Sequence, residues 1–232
     1  MTFKIVTLFP GFFHSPLETG LLGKAIKSGI LSVLLIDVRE YSTDNYRSCD
    51  DYPYGGGSGM VLMPAPLIRA VKDVKGEHTK VVLTAPSGSL LTQDMVKELA
   101  AYEDLCLVCG NYEGVDQRFI DACVDYEISV GDYILSGGEY AALVIIDAVS
   151  RYIPGFMSNT ESLREESFEM DLLEYPHYTR PGEIFGMEVP GILLSGNHKK
   201  ISEWRLEKSI ELTKRVRPDL YKRYITRKLL GE

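Results

Sequence analysis

Apolar positions gather into five short runs in the first two-thirds of the chain: Phe3–Phe9, Leu31–Val38, Lys80–Thr84, Leu105–Gly110 and Ile128–Leu135. The runs are nearly continuous rather than alternating, which predicts strands buried on both faces. Between them the spacing turns helical and predicts helices over Pro16–Ser28, Pro64–Val74, Thr92–Ala101, Val115–Cys123 and Gly138–Tyr152. Thr92, with Asp94 behind it, has the pattern of an N-cap followed by an acid in the first turn. Strands alternating with helices predict an α/β section over residues 1–156, a mostly parallel sheet with helices on both faces.

After Phe156 the pattern is lost. The stretch 157–175 carries six acids, one base and little periodicity, so it is expected to be a flexible interdomain linker. Residues 176–232 form a smaller section of loops around His177–Pro181 and Pro190–His198. Helices are predicted over Ser202–Val216 and Pro218–Leu230, the first packed by Trp204, Leu206, Ile210 and Leu212.

Composition adds little until charge is divided along the chain. Hydrophobic residues make up 45% and charged residues 25%, ordinary for a globular protein, and no apolar run is long enough to span a membrane. The N-terminus lacks the basic region and cleavage site of a secretory signal, which points to the cytoplasm. The net charge of −8 argues against a polyanionic partner. From Asn197 to Glu232, however, 11 Lys and Arg face 5 Asp and Glu, a local charge of +6 in a chain otherwise at −14. A basic end on an acidic chain is either a nucleic-acid footprint or a solvated helix face. Cys106-x-x-Cys109 has the spacing of a redox or zinc motif, but positions three apart on a strand face opposite ways and no second pair completes a site. Packing cysteines are expected.

The candidate chemistry lies in loops. Tyr54–Met60 is glycine-rich but lacks the Lys of a phosphate-binding P-loop, and alone it is equally a hinge. Ala85-Pro86-Ser87-Gly88, Gly110–Gly114 and the exit of the Ile128–Gly138 run follow three predicted strands. Open α/β sheets bind ligands at such carboxyl ends, and three loops of one character point to a single crevice.

Taken together the motifs carry a resemblance. Leu8-Phe9-Pro10, Asp50-Asp51-Tyr52-Pro53-Tyr54-Gly55-Gly56-Gly57-Ser58-Gly59-Met60, and Cys109-Gly110-Asn111-Tyr112-Glu113-Gly114-Val115-Asp116 occur in order. Ser129-Val130-Gly131-Asp132-Tyr133-Ile134-Leu135-Ser136-Gly137-Gly138-Glu139, Pro176–Pro181 and Leu194-Ser195-Gly196-Asn197-His198 follow, then Trp204-Arg205. The chain resembles the bacterial tRNA (guanine-N1)-methyltransferases, which modify the guanine 3′ to the anticodon and so maintain the reading frame. These belong to the SPOUT class. The resemblance implies a deep trefoil knot, which no periodicity would predict, and a homodimer with a shared active site.

It also implies roles for particular residues. S-adenosylmethionine would be bound by Thr84, Ala85, Pro86 and Ser87, by Gly110, Tyr112, Glu113 and Gly114, and by the third loop. In that loop the residues are Ser129, Val130, Gly131, Asp132, Tyr133, Ile134, Leu135, Gly137 and Gly138. Glu113 would face the sulfonium and could assist a transient Mg²⁺, with no fixed metal site. Guanine N1 carries a proton at neutral pH, so the reaction needs a base and a cation to offset charge on O6. The family places an aspartate before Ser-Phe; here Glu166 precedes Ser167-Phe168, one methylene longer, with Glu165 a rival. Arg151 would oppose the O6 charge. The tRNA would be held by Gly56, Gly57, Ser58 and Gly59, by His177, Tyr178 and Arg180, and by Lys199, Lys200, Arg205, Lys208 and Arg215. A knotted RNA-binding protein without catalysis is the alternative, resting on the Glu at position 166. A nucleotide-binding α/β enzyme without RNA fits less well, given the basic end.

Overall fold

The computed structural model describes residues 1–157 and 166–230. The chain divides into two units, Met1–Ser158 and Asn159–Glu232.

The first unit is built on strands β1 (Thr2–Thr7), β2 (Ser32–Asp37), β5 (Lys80–Leu90), β6 (Asp104–Cys109) and β7 (Tyr126–Ser129). Strands β3 (Asp50–Asp51) and β4 (Val61–Leu62) form a separate antiparallel pair. The five-stranded sheet has the order β2-β1-β6-β5-β7, with every neighbouring pair parallel. This is the expected α/β arrangement. Helices α1 (His14–Glu18), α2 (Gly20–Lys27), α3 (Pro64–Val74), α4 (Gln93–Ala100), α5 (Gln117–Cys123) and α6 (Glu139–Ser150) complete the unit.

Burial alternates along the strands and generates two cores. Phe3, Ile5, Leu105, Leu107 and Cys109 pack on one face with Leu99 of α4 and with Ala142, Ile145, Ile146 and Val149 of α6. Val6, Val81, Leu83, Cys106 and Val108 pack on the other with Leu67, Ala70 and Val71 of α3 and Phe119 of α5. Cys106 and Cys109 therefore enter opposite cores. Burial pushes the Cys106 thiol up to about 12 and holds the Cys109 thiol well above its ordinary value, with the Glu139 carboxylate adding to the latter. Both behave as apolar packing groups.

Three boundaries differ from the sequence expectation for local reasons. The predicted helix Pro16–Ser28 is two helices, because Thr19 is extended (φ −114°, ψ 165°) and Gly20 adopts a φ of +61°. Strand β5 does not end at Thr84. It leaves the ladder, loops out through Ala85–Gly88 and re-enters at Ser89, so Thr84 and Ser89 both pair with Ile128. Strand β7 stops at Ser129, where the Ser129 hydroxyl donates to the Gly131 carbonyl at 3.1 Å and Tyr133 N–H donates to the same oxygen at 2.9 Å. Residues 130–135 are thus a loop rather than the end of a strand.

In the second unit, β8 (Glu183–Ile184) and β9 (Met187–Glu188) form a short hairpin. It is followed by α7 (Gly191–Leu194), α8 (His198–Val216) and α9 (Pro218–Leu230). Asn197 caps α8 by accepting from Lys200 N–H at 3.2 Å, which starts the helix four residues earlier than expected. The buried stripe of α8 also differs: Ser209 and Thr213 are buried and Leu206 is exposed. Thr213 Oγ1 donates to the Ser209 carbonyl at 2.6 Å and accepts from Leu173 N–H at 2.8 Å, so a hydrogen-bonded seam replaces an apolar one. Residues 166–175 are thereby folded within this unit, unlike the structureless run expected through Tyr175. The neighbouring positions 158–165, with Glu165 among them, lie outside the described residues.

Candidate active site

The carboxyl ends of β5, β6 and β7 enclose a cavity of about 510 Å³, within the usual range of small-ligand sites. Three loops form its wall. The first is the β5 bulge, with Thr84, Ala85, Pro86 and Ser87; the second follows β6, with Gly110, Tyr112, Glu113 and Gly114; the third follows β7. Ser129, Val130, Gly131, Tyr133, Ile134, Leu135, Gly137 and Gly138 line it from that third loop. Asp132 does not. The Tyr133 N–H to Gly131 carbonyl bond closes a three-residue turn with Asp132 at its exposed apex.

Sequence reading passed over several lining residues. Leu83 and Ile128 are strand positions at the bases of the loops, and Gln117 and Ile120 come from α5. Helical spacing makes Gln117 and Ile120 neighbours on α5, a signal present in the sequence.

The floor is rigid. Glu139, the first residue of α6, is almost fully buried, and its Oε1 accepts from Thr7 Oγ1 at 2.8 Å and Asn111 Nδ2 at 3.0 Å. Gly138 N–H donates to the Gly110 carbonyl at 2.7 Å. A Cβ on Gly138 would lie 2.7 Å from Gly110 N and 3.0 Å from Cys109 Cα and would overlap Thr84 Oγ1, so only glycine lets the two loops approach. The rim is strained instead. Tyr112 holds a φ of +58°, uncommon for an aromatic residue, and such backbone concentrates at ligand sites. Partial burial, with Asp50 beside it, raises the Tyr112 hydroxyl above its ordinary value.

Glu113 stands where the cavity meets the glycine-rich loop. Its N–H donates to the Met60 carbonyl at 3.0 Å, and its side chain packs against Gly59. Gly56, Gly57, Ser58 and Gly59 are all exposed on that loop. Arg151 is not in the wall. It caps the C-terminal end of α6, about 18 Å of helix away from Gly138. Among the described residues no three or more His, Cys, Asp or Glu are grouped to hold a metal ion.

In the second unit, Glu166 lines a smaller cavity of about 170 Å³ together with Arg205, Tyr175 and Leu206. The Arg205 guanidinium lies 4.6 Å from the centre of the Tyr175 ring, which holds it against the protein. Asp171, buried and at a φ of +55°, pairs with Arg223 at 3.3 Å and Arg227 at 3.2 Å, and Ser167 Oγ accepts from Glu174 N–H at 2.9 Å. These contacts tie the Glu166 turn to α9. Of the basic candidates, Lys199, Lys200 and Arg215 are exposed, whereas Lys208 is engaged by Glu211 at 2.7 Å. His177 pairs with Glu174 at 3.0 Å, Tyr178 lies beside Trp204, and Arg180 is exposed.

Comparison with known proteins identifies the family. The family model described as tRNA (Guanine-1)-methyltransferase TrmD matches residues 1–223. A tRNA (guanine-N(1)-)-methyltransferase of Clostridioides difficile is 48% identical, with 96% of this chain and 98% of that protein covered. The Geobacter sulfurreducens protein of the same name is 50% identical over 95% and 91%, and that of Treponema denticola 52% over 95% and 90%. A match over nearly the whole chain places this protein in the tRNA (guanine-1)-methyltransferase family.

Proposed function

We propose that the protein methylates N1 of the guanine immediately 3′ to the anticodon of tRNA, with S-adenosylmethionine as donor. The observation that carries this reading is the cavity at the ends of β5, β6 and β7, joined to family membership along the whole chain. The cavity suits the donor in volume and in character. Backbone of three loops is available to an adenine edge, Leu83, Val115, Ile120 and Ala141 offer apolar wall, and Glu113 supplies a carboxylate at the rim for a cationic group. When bound, the donor supplies a methyl group carried on a positively charged sulfur.

The protein's own residues handle the proton and the charge. Glu166 accepts the proton from guanine N1, freeing its lone pair, and Arg151 opposes the negative charge that then spreads to O6.

Arg151 stands a helix length from the cavity in its own chain, so a centre that includes both Arg151 and Glu113 is best met by a homodimer with a shared site. The composition of α6 supports this pairing. Ala142, Ile145, Ile146 and Val149 fill the core, yet Tyr140 and Val144 on its other side are about half exposed. Large apolar side chains left half exposed on one helix face are expected to be covered. The trefoil knot, with its three loops drawn into one crevice, belongs to the same reading. The basic face of α8, with Lys199 and Lys200 in its first turn, would meet tRNA phosphates.

The deciding experiment mixes the protein with labelled methyl donor and unmodified tRNA transcripts with or without guanine after the anticodon. Guanine-dependent label transfer is expected. Binding of donor and tRNA without transfer would leave a non-catalytic RNA-binding protein instead.

A further inference from the structure

We infer that Tyr52, Tyr54 and Arg118 form a docking rim for an unstacked nucleotide next to the target guanine, a role that rests on the proposed tRNA substrate. The nine residues Tyr52–Met60 join β3 to β4 and form an arch that meets the cavity wall at Glu113, through Gly59 and the Met60 carbonyl. Its base is fixed: Leu62 N–H donates to the Gly114 carbonyl and Asp116 N–H to the Leu62 carbonyl, both at 3.0 Å, and Leu62 bridges to Val115. Its tip is not packed. Tyr52 is 78% and Tyr54 99% exposed. Single exposed aromatic residues are common, but two within three positions, on an arch whose glycine touches Glu113, are concentrated where a ligand enters.

A cation accompanies the rings. Arg118, in the first turn of α5, has a side chain that is 71% exposed. Asp116, which caps α5, takes Arg118 Nε at 2.9 Å and an Nη at 2.7 Å. That pairing uses two of the five N–H donors and fixes the plane of the fork, so the remaining donors are presented without a further ordering cost. Gln117, next to Arg118, and Gly114 are in the cavity wall, so the rim is continuous with the site.

Aromatic rings beside a held guanidinium suit single-stranded nucleic acid: the rings stack on a base of any identity, and the cation meets the adjoining phosphate. A target guanine that enters the cavity must leave its stack, which frees a neighbouring base for these rings.

The test is single-turnover methylation of the guanine-bearing transcript as a function of tRNA concentration, with donor affinity, melting temperature and oligomeric state measured alongside. The double variant Tyr52→Ala/Tyr54→Ala should raise the half-saturating tRNA concentration by on the order of tenfold or more, with donor affinity and melting temperature unchanged. Tyr54→Trp keeps a ring and should stay near wild type. Arg118→Gln should lower the slope of log affinity against log salt by about one phosphate contact. If the wild-type protein transfers methyl groups and the double variant saturates at the same tRNA concentration, the rim is overturned while the proposed function stands. Loss of a dimer with unchanged tRNA affinity would assign these rings to a second copy and overturn the rim equally. A wild-type protein with no guanine-dependent transfer overturns both.

Discussion

In the first unit the cavity is walled mainly by backbone and short side chains, held by a buried Thr7–Glu139–Asn111 network and by loops that touch at Gly138. In residues 166–230 the candidate chemistry is instead in long charged side chains: Glu166 on a turn, and exposed Lys199, Lys200 and Arg215 on α8. The first arrangement tolerates almost no added atom, because each wall is the support of the next. The second tolerates changes in length, because a flexible carboxylate or ammonium reaches its partner by rotation. On the proposed role of Glu166, the length of its side chain is accommodated because it falls in the adaptable region.

The sharpest way to break the comparison is one methyl group in the rigid floor. Gly138→Ala puts a Cβ against the backbone of Gly110 and Cys109, which β6 and β5 prevent from moving. It should cost about 3 kcal/mol in denaturant unfolding and weaken donor binding at least about 100-fold. A variant with normal melting and donor affinity would show that the floor yields.

Next in size is the proposed base. Glu166→Gln should slow single-turnover methylation by on the order of 100-fold or more while donor and tRNA binding persist. Glu165→Gln should be nearly silent, and the reverse pattern would exchange the two roles. Mixing Glu166→Gln protein with Glu113→Ala protein should restore part of the activity if the site is assembled from two copies. Failure of the mixture, with heterodimers present, would return the chemistry to one chain.

Asp171 tests what anchors the adaptable region. Its two arginine partners are about half exposed, so Asp171→Ala should destabilise the second unit by roughly 2 kcal/mol, less than loss of a fully buried pair. Asp171→Gly also loses the pairs but relieves the left-handed backbone, and it should melt above the alanine variant. Equal melting of the two would remove backbone strain from the account.

The same contrast governs what the sequence revealed. The sheet was legible because its strands are continuous apolar runs, and the three loops were legible because glycines and polar residues stand at strand exits. The order β2-β1-β6-β5-β7 was not, since pairing of strands more than 70 residues apart leaves no local pattern. The β5 bulge was missed because re-entry at Ser89 depends on Ile128, far along the chain. The α8 stripe was misassigned because Thr213 is buried by a hydrogen bond from Leu173, which apolar periodicity does not detect. The distance between Arg151 and the cavity follows from the length of α6, yet only the position of Gly138 in the wall gives that length a meaning.

The smallest expected effect distinguishes binding from folding on α8. Lys199 and Lys200 occupy the first turn, where the helix dipole already carries positive charge, so they cost stability while the protein is free. Lys199→Gln/Lys200→Gln should therefore raise stability by about 0.5 kcal/mol. It should also weaken tRNA binding and reduce the salt slope by about two phosphate contacts. Thermal melting and filter binding across a salt series read the two changes separately. Opposite signs identify cations kept for the ligand at the expense of the fold, and unchanged tRNA affinity would make them a solvated helix face.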